Sequence, residues 1–338
     1  MKPVSGFTLA AGTETGRTGI YQLKRLWSKA IAGPHTTNLY PDETALDSML
    51  IDILGIGLLP TYRFLYEQKP DFESFEQWVI DHANGPIDET TIQQYNALLQ
   101  NKTTTHHPGT ADVLTTRDIA FWEENGYVII KNAVSPQDCA QSRKAIFDYL
   151  GMDEQDATTW YSANNTLEGI MVPLYLNMAI DKNRYSAKIR RAFEQLWNRT
   201  DIIVTTDKCG FNPPETPQFK YRGIGLHWDV SLATPIPFGT QGILYLTDTA
   251  ANQGALTLVP GFHKNLENWL QELPEDVNPR EFDFSSFCLV PVAADAGDFI
   301  IWNHKLPHSS SPNTASLPRV VQYINWYAPM EKIQEVWK

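Results

Sequence analysis

"FKYRGIGLHWDVSLATPIPFGTQGILYLTD", residues 219–248, decides the reading of this chain. Two β-like runs, 219–230 and 242–248, are separated by a stretch with three glycine or proline breakers just before the second run. The first run holds His227-Trp228-Asp229. On a strand, residues two apart share a face. His227 and Asp229 therefore project together, and Trp228 projects to the opposite side. An H-x-D triplet is common by chance, so its neighbours must give it meaning.

Outward from this stretch the same texture continues. "DIIVTT" (201–206), "ALTLVP" (255–260), "FCLVPV" (287–292), "DFIIWN" (298–303) and "RVVQYINWYA" (319–328) are short β-like runs set apart by turns such as "NQG" and "DAGD". Strands at this spacing imply an antiparallel sandwich or barrel. The expected class is α+β, a sheet core flanked by helices.

A nitrogen and a carboxylate converging from one strand make two thirds of a facial triad. Two histidines and one carboxylate suit non-haem Fe(II), with positions left open for other ligands. The missing ligand must come from elsewhere. His263, His304 and His308 lie downstream. His304 and His308 have helical spacing, but Pro307 between them and the β-like run before argue against a helix. Arg319 follows His308 by 11 residues and begins a strand. A guanidinium so placed can hold a carboxylate by two parallel bonds. 2-Oxoglutarate carries such a carboxylate at one end and a metal-chelating keto acid at the other.

"HWD", "GALTLVPGFHK" and "HSSSPNTASLPR", in this order, resemble the phytanoyl-CoA dioxygenase family of Fe(II)/2-oxoglutarate oxygenases. "FWEENGYVIIKNAVSPQDC" is similar to the family's opening, and "TTDKCGFNPPE" to its "D-R-x-x-x-x-P-P" segment, with Lys208 in place of the arginine. The likeness spans about 115–328. It implies a double-stranded β-helix (a jelly roll, cupin-like) needing Fe(II), 2-oxoglutarate and O2. It implies iron ligands His227, Asp229 and His308, and Arg319 on the distal carboxylate of 2-oxoglutarate. It further implies that Ser310, and Tyr245 or Gln241 on the strand after H-x-D, touch the same cosubstrate. Halogenating relatives replace the carboxylate ligand with a small residue; Asp229 disfavours that chemistry. The expected reaction is hydroxylation, or another oxidation, of an unactivated C–H bond. Two alternatives stand beside it: a metal-binding jelly roll acting as sensor or scaffold, and an oxygenase acting on a peptide or protein.

Residues 1–105 show helical spacing, as in "PDETALDSMLIDILGIGLLPTYRFLYEQ" (41–68), and match nothing in the catalytic family; they are expected to form a helical extension to a domain of residues 106–338. In the second region Thr116 is the expected cap of a helix ending near Gly126, and Ser135-Pro136 opens another that stops at Gly151. Trp160, Tyr161 and Met171, ahead of the barrel, are candidates for a substrate pocket wall.

The 338 residues carry a formal charge of -12. Nucleic-acid binding is not expected without basic stripes; a small-molecule substrate is, although a CoA thioester sits less comfortably on an acidic protein. Three separated cysteines suit a reducing, cytoplasmic compartment, with Cys209 and Cys288 acting as small apolar residues. No signal peptide or membrane span is read. His106-His107 is expected to be solvated, His263 to order a turn, and His304 to lie at the surface or behind the ligands. The oligomeric state is open.

Overall fold

The computed structural model describes residues 8–33, 43–83, 87, 89–99, 111–161, 169–329, 334 and 336–338; His106 and His107 lie outside them. The helices are α1 (Leu23–Ala32), α2 (Glu43–Ile53), α3 (Leu58–Gln68), α4 (Phe72–His82), α5 (Glu89–Leu99), α6 (Thr116–Asn125), α7 (Pro136–Leu150), α8 (Met178–Arg184), α9 (Ala187–Trp197) and α10 (Leu266–Glu272). The strands are β1 (Tyr127–Ile130), β2 (Met171–Val172), β3 (Ile203–Val204), β4 (Cys209–Asn212), β5 (Thr240–Tyr245), β6 (Leu256–Leu258), β7 (Val290–Val292), β8 (Phe299–Asn303), β9 (His308–Ser310), β10 (Arg319–Tyr323) and β11 (Trp326–Tyr327).

The chain divides into two compact units. The first is Met1–Pro108 with Arg199–Thr206 and Tyr327–Ile333. Its core gathers the apolar faces of the helices: Leu23 and Leu26, Leu46 and Leu50, Leu65, Phe75 and Val79, and Tyr95, joined by Ile203. The run "DIIVTT", read above as a barrel strand, thus supplies β3 to this unit. The 41–68 stretch is two helices rather than one: Gly55 and Gly57 take φ of 64° and 73°, where a side chain is strained, and α2 and α3 meet at 103°. Inside the unit, buried Arg25 pairs with Glu43 at 2.5 Å, and Lys29 with Asp47. Opposite charges offset each other's desolvation there. Among the described residues no single helix is long and apolar enough to cross a membrane.

The second unit, Gly109–Asn198 with Asp207–Trp326 and Gln334–Lys338, is the jelly roll. Six strands form one antiparallel sheet in the order β1-β8-β5-β10-β4-β2, and β7-β6-β9 form the facing sheet. Inward residues of both make one core, including Ile243, Tyr245, Leu256, Leu258, Val292, Ile300, Trp302 and Val321. The alternation is visible on β10: Val321 packs inward, while Gln322 bonds Asn183 and the Ile180 carbonyl on the helical side. The cap of α6 is Thr115 and not Thr116; Thr115 and Asp118 close a reciprocal capping box. Ser135 caps α7 as expected. Cys139 and Cys209 are buried, but Cys288 is exposed and is not a core residue.

Gly242 marks the closest approach in this sheet. A Cβ there would stand 2.4 Å from both the Ile324 carbonyl oxygen and the Phe299 ring. Gly242→Ala is expected to destabilise the protein by about 1–3 kcal/mol, the usual effect of overpacking a tight core. Thermal denaturation checks it; an unchanged midpoint contradicts it.

Candidate metal centre

His227 and His308 are brought together by backbone pairing. Each donates its N–H to the other's carbonyl at 3.0 Å, an isolated antiparallel bridge between the 219–230 stretch and β9. Their rings are therefore neighbours, 4.6 Å apart. Asp229 lies two residues beyond His227 and on the same side, as the strand period requires. Ligand atoms of His227, Asp229 and His308 all lie within 4.8 Å of one another, the arrangement of a group able to hold a metal ion.

Hydrogen bonds aim the imidazoles. Nδ1 of His227 is 2.8 Å from the Gly225 carbonyl, and Nδ1 of His308 is 3.2 Å from that of Leu306. A carbonyl only accepts, so each Nδ1 carries a proton and each Nε2 is turned to the site, donating to Asp229 while protonated and presenting a lone pair once that proton is lost. Nε2 of His308 faces Asp229 Oδ2 at 3.2 Å, and Nε2 of His227 faces Oδ1 at 3.6 Å. Lone pairs facing a carboxylate call for a proton or a cation between them. Burial lowers the His227 imidazole below its ordinary value, and the neighbouring His308 adds to this. Partial burial alone would raise the Asp229 carboxyl, but bonds from His308 and Gln241 and the histidine charges hold it well below the usual carboxylate range.

Arg319 begins β10, and its side chain is fully buried. Its Nε, Nη1 and Nη2 are all enclosed without a hydrogen-bond partner among the described residues. Burial raises two phenols near it, Tyr245 to about 12 and Tyr221 likewise upward, and the guanidinium charge offsets part of each shift. Tyr221 also donates to the Ser310 carbonyl at 2.5 Å. Ser310 shares a face of β9 with His308.

The other expected residues divide. Tyr245 donates to the Val292 carbonyl and accepts from the Leu256 N–H, so its hydroxyl keeps at most one lone pair for another partner. Gln241 is bound to Asp229 Oδ2 at 2.7 Å and to the Trp302 indole at 3.0 Å. Trp228 is core, its indole donating to the Lys305 carbonyl. Trp160 is 5 % exposed and turned onto the Asp153 carbonyl. Tyr161 packs edge-on against Phe219, and Met171 is half-buried on β2. His304 is held by the Pro237 carbonyl, and His263 sits in the short helical turn after β6; neither joins the three ligands.

Three residues escaped the sequence reading. Trp302 packs 5.2 Å from the His308 ring. Arg280 donates to the carbonyls of Trp228 and Val230, on either side of Asp229, at 2.9 and 2.8 Å. Tyr221 stands beside Arg319. Alternation in "DFIIWN" places Trp302 with Ile300, but only the β5–β8 register sets it opposite Gln241. No local pattern marks Arg280.

The profile of the family described as "Phytanoyl-CoA dioxygenase (PhyH)" matches residues 122–321. A Dictyostelium discoideum relative named after phytanoyl-CoA dioxygenase is 24% identical over 255 residues, covering 60% of this chain and 73% of that one. The Danio rerio protein "Phytanoyl-CoA dioxygenase domain-containing protein 1" is 22% identical over 274 residues, 67% of this chain and 93% of the relative. Among solved structures, EctD from S. alaskensis in its apoform is similar with a TM-score of 0.49 at 17% identity, over 68% of this chain and 82% of the other.

Proposed function

The chain belongs to the phytanoyl-CoA dioxygenase (PhyH) family, and from that premise we propose that it is an Fe(II)- and 2-oxoglutarate-dependent dioxygenase. It would oxidise an unactivated C–H bond of a small organic molecule, in the simplest case to the alcohol. One atom of O2 enters the product and the other enters succinate, as 2-oxoglutarate loses CO2. The observation that carries this reading is Arg319. A buried guanidinium without a partner costs the fold several kcal/mol. A bound carboxylate would supply the missing acceptors in a two-pronged bond.

His227, Asp229 and His308 would hold the iron through two Nε2 atoms and a carboxylate oxygen, the donor set suited to Fe(II) with open positions. Iron with 2-oxoglutarate supplies the oxygen activation when bound. The protein orients and encloses. The carbonyls of Gly225 and Leu306 keep the imidazoles aimed, Arg280 ties down the backbone around Asp229, and Ile243, Ile300 and Val321 belong to the apolar core of the same unit. Ser310 would bond the cosubstrate. Tyr161 and Met171 are proposed for the substrate wall; Trp160 is buried and bonded to the Asp153 carbonyl. The chemistry is assigned to the jelly-roll unit alone.

The test is anaerobic addition of Fe(II) and then 2-oxoglutarate. A metal-to-ligand charge-transfer band in the visible is expected, and its absence would sink the proposal. Succinate release over pools of small molecules then finds the substrate. Metal uptake should also follow pH in a stated direction. His227 must be unprotonated to bind, and its value lies below the ordinary 6.5. Uptake should be lost on acidification with a midpoint below 6.5; a midpoint above 6.5 contradicts the site as described.

A further inference from the structure

Gln241 and Trp302 are opposite residues of the β5–β8 pair, and both side chains enter the jelly-roll interior. An indole nitrogen can only donate. Its N–H goes to Gln241 Oε1 at 3.0 Å, which leaves the carboxamide one orientation. The NH2 end then points at Asp229, 2.7 Å from Oδ2. The same indole packs 5.2 Å from the His308 ring, tilted by 56°. One buried tryptophan thus reaches two of the three ligand side chains.

The Asp229 side chain is 56 % exposed, so packing alone does not stop its carboxylate from rotating. We propose that Gln241, oriented by Trp302, is a positioning residue that presents Asp229 as a one-point ligand. It tethers Oδ2, which also faces His308 Nε2 at 3.2 Å, and leaves Oδ1, 3.6 Å from His227 Nε2, as the oxygen offered to the cation. A carboxylate free to chelate through both oxygens would take a coordination position that the cosubstrate and oxygen need. Glutamine suits the task because it carries no charge. A lysine or arginine there would neutralise the carboxylate that the metal requires. The inference rests on the iron site proposed above.

The test uses Co(II) alone as the probe, titrated into the full chain, with affinity and the visible Co(II) spectrum as readouts. Gln241→Leu removes both bonds at similar volume. It should weaken Co(II) binding about 10- to 100-fold, the usual effect of losing an outer partner of a ligand, and change the spectrum. Trp302→Phe keeps a ring against His308 but loses the N–H; it should give a smaller loss in the same direction. Affinity within twofold of the parent and an unchanged spectrum in Gln241→Leu overturn the proposal. If unfolding in EDTA shows that variant to be unstable, Trp302→Phe decides, and an unchanged Trp302→Phe overturns it. Asp229→Ala separates the two readings. If it binds Co(II) as well as the parent does, or if the parent binds none, the iron site and this proposal fall together. If Asp229→Ala loses binding while Gln241→Leu keeps it, only this proposal falls.

Discussion

Arg319→Met is expected to make the protein alone more stable while abolishing its response to 2-oxoglutarate. The two effects have one cause. Methionine fills much of the same buried volume and brings no charge, so the cost of enclosing an unpaired guanidinium disappears. Replacing buried charge by apolar groups is often stabilising by about 1–4 kcal/mol, and a rise in the thermal midpoint of the metal-free protein is the measurement. In exchange, the two charge-assisted bonds proposed to the cosubstrate would be lost. Losing one partner of such a buried pair costs about 2–5 kcal/mol, so 2-oxoglutarate affinity should fall on the order of 100-fold or more. The visible band with Fe(II) should vanish at cosubstrate concentrations that saturate the parent. A variant that is destabilised and still gives the band would show that Arg319 is structural.

On the proposed function, Asp229→Ala is expected to abolish turnover by removing one of the three proposed ligands. Loss of an outer partner already weakens metal sites about 10- to 100-fold, so loss of a direct ligand should exceed that. Anaerobic Fe(II) titration checks it, with circular dichroism showing that the half-exposed side chain is not needed for the fold. The same change should alter the acid side of the stability curve. The Asp229 carboxyl is depressed in the folded protein, so its contribution is present above the unfolded value of 3.8 and is lost as pH falls below it. The parent should therefore lose more stability than Asp229→Ala between neutral pH and strong acid. Equal losses would place the carboxylate outside the histidine pair's influence.

Much of this site was legible in the sequence because its signals are local. The period-two rule put His227 and Asp229 on one side and Trp228 in the core, although the observed strand around them is reduced to a single bridge. The breakers Ser135-Pro136 and Gly151 delimited α7 for the same reason: capping depends on adjacent residues. Thr115 was missed by one position because two threonines offer the same hydroxyl, and only backbone geometry chooses between them. Arg319 could be placed by spacing and family likeness, but not its isolation. That its guanidinium has no partner among the described residues is a statement about everything around it.

Strand texture, the H-x-D face and the candidate metal-binding groups are thus local properties, readable residue by residue. The tertiary structure alone decided which distant groups meet them. Gln241, one of the two residues that the family likeness offered as a cosubstrate contact, bonds Asp229, because β5 pairs with β8 in the register that places Trp302 opposite it. Likewise "DIIVTT" has the composition of a barrel strand, yet β3 belongs to the helical unit, where Ile203 joins the core of Leu46 and Leu50. Strand propensity says only that a segment suits a pleated, half-buried surface. Which surface receives it, and which side chain ends up beside which ligand, follows from register and packing between residues far apart in the chain.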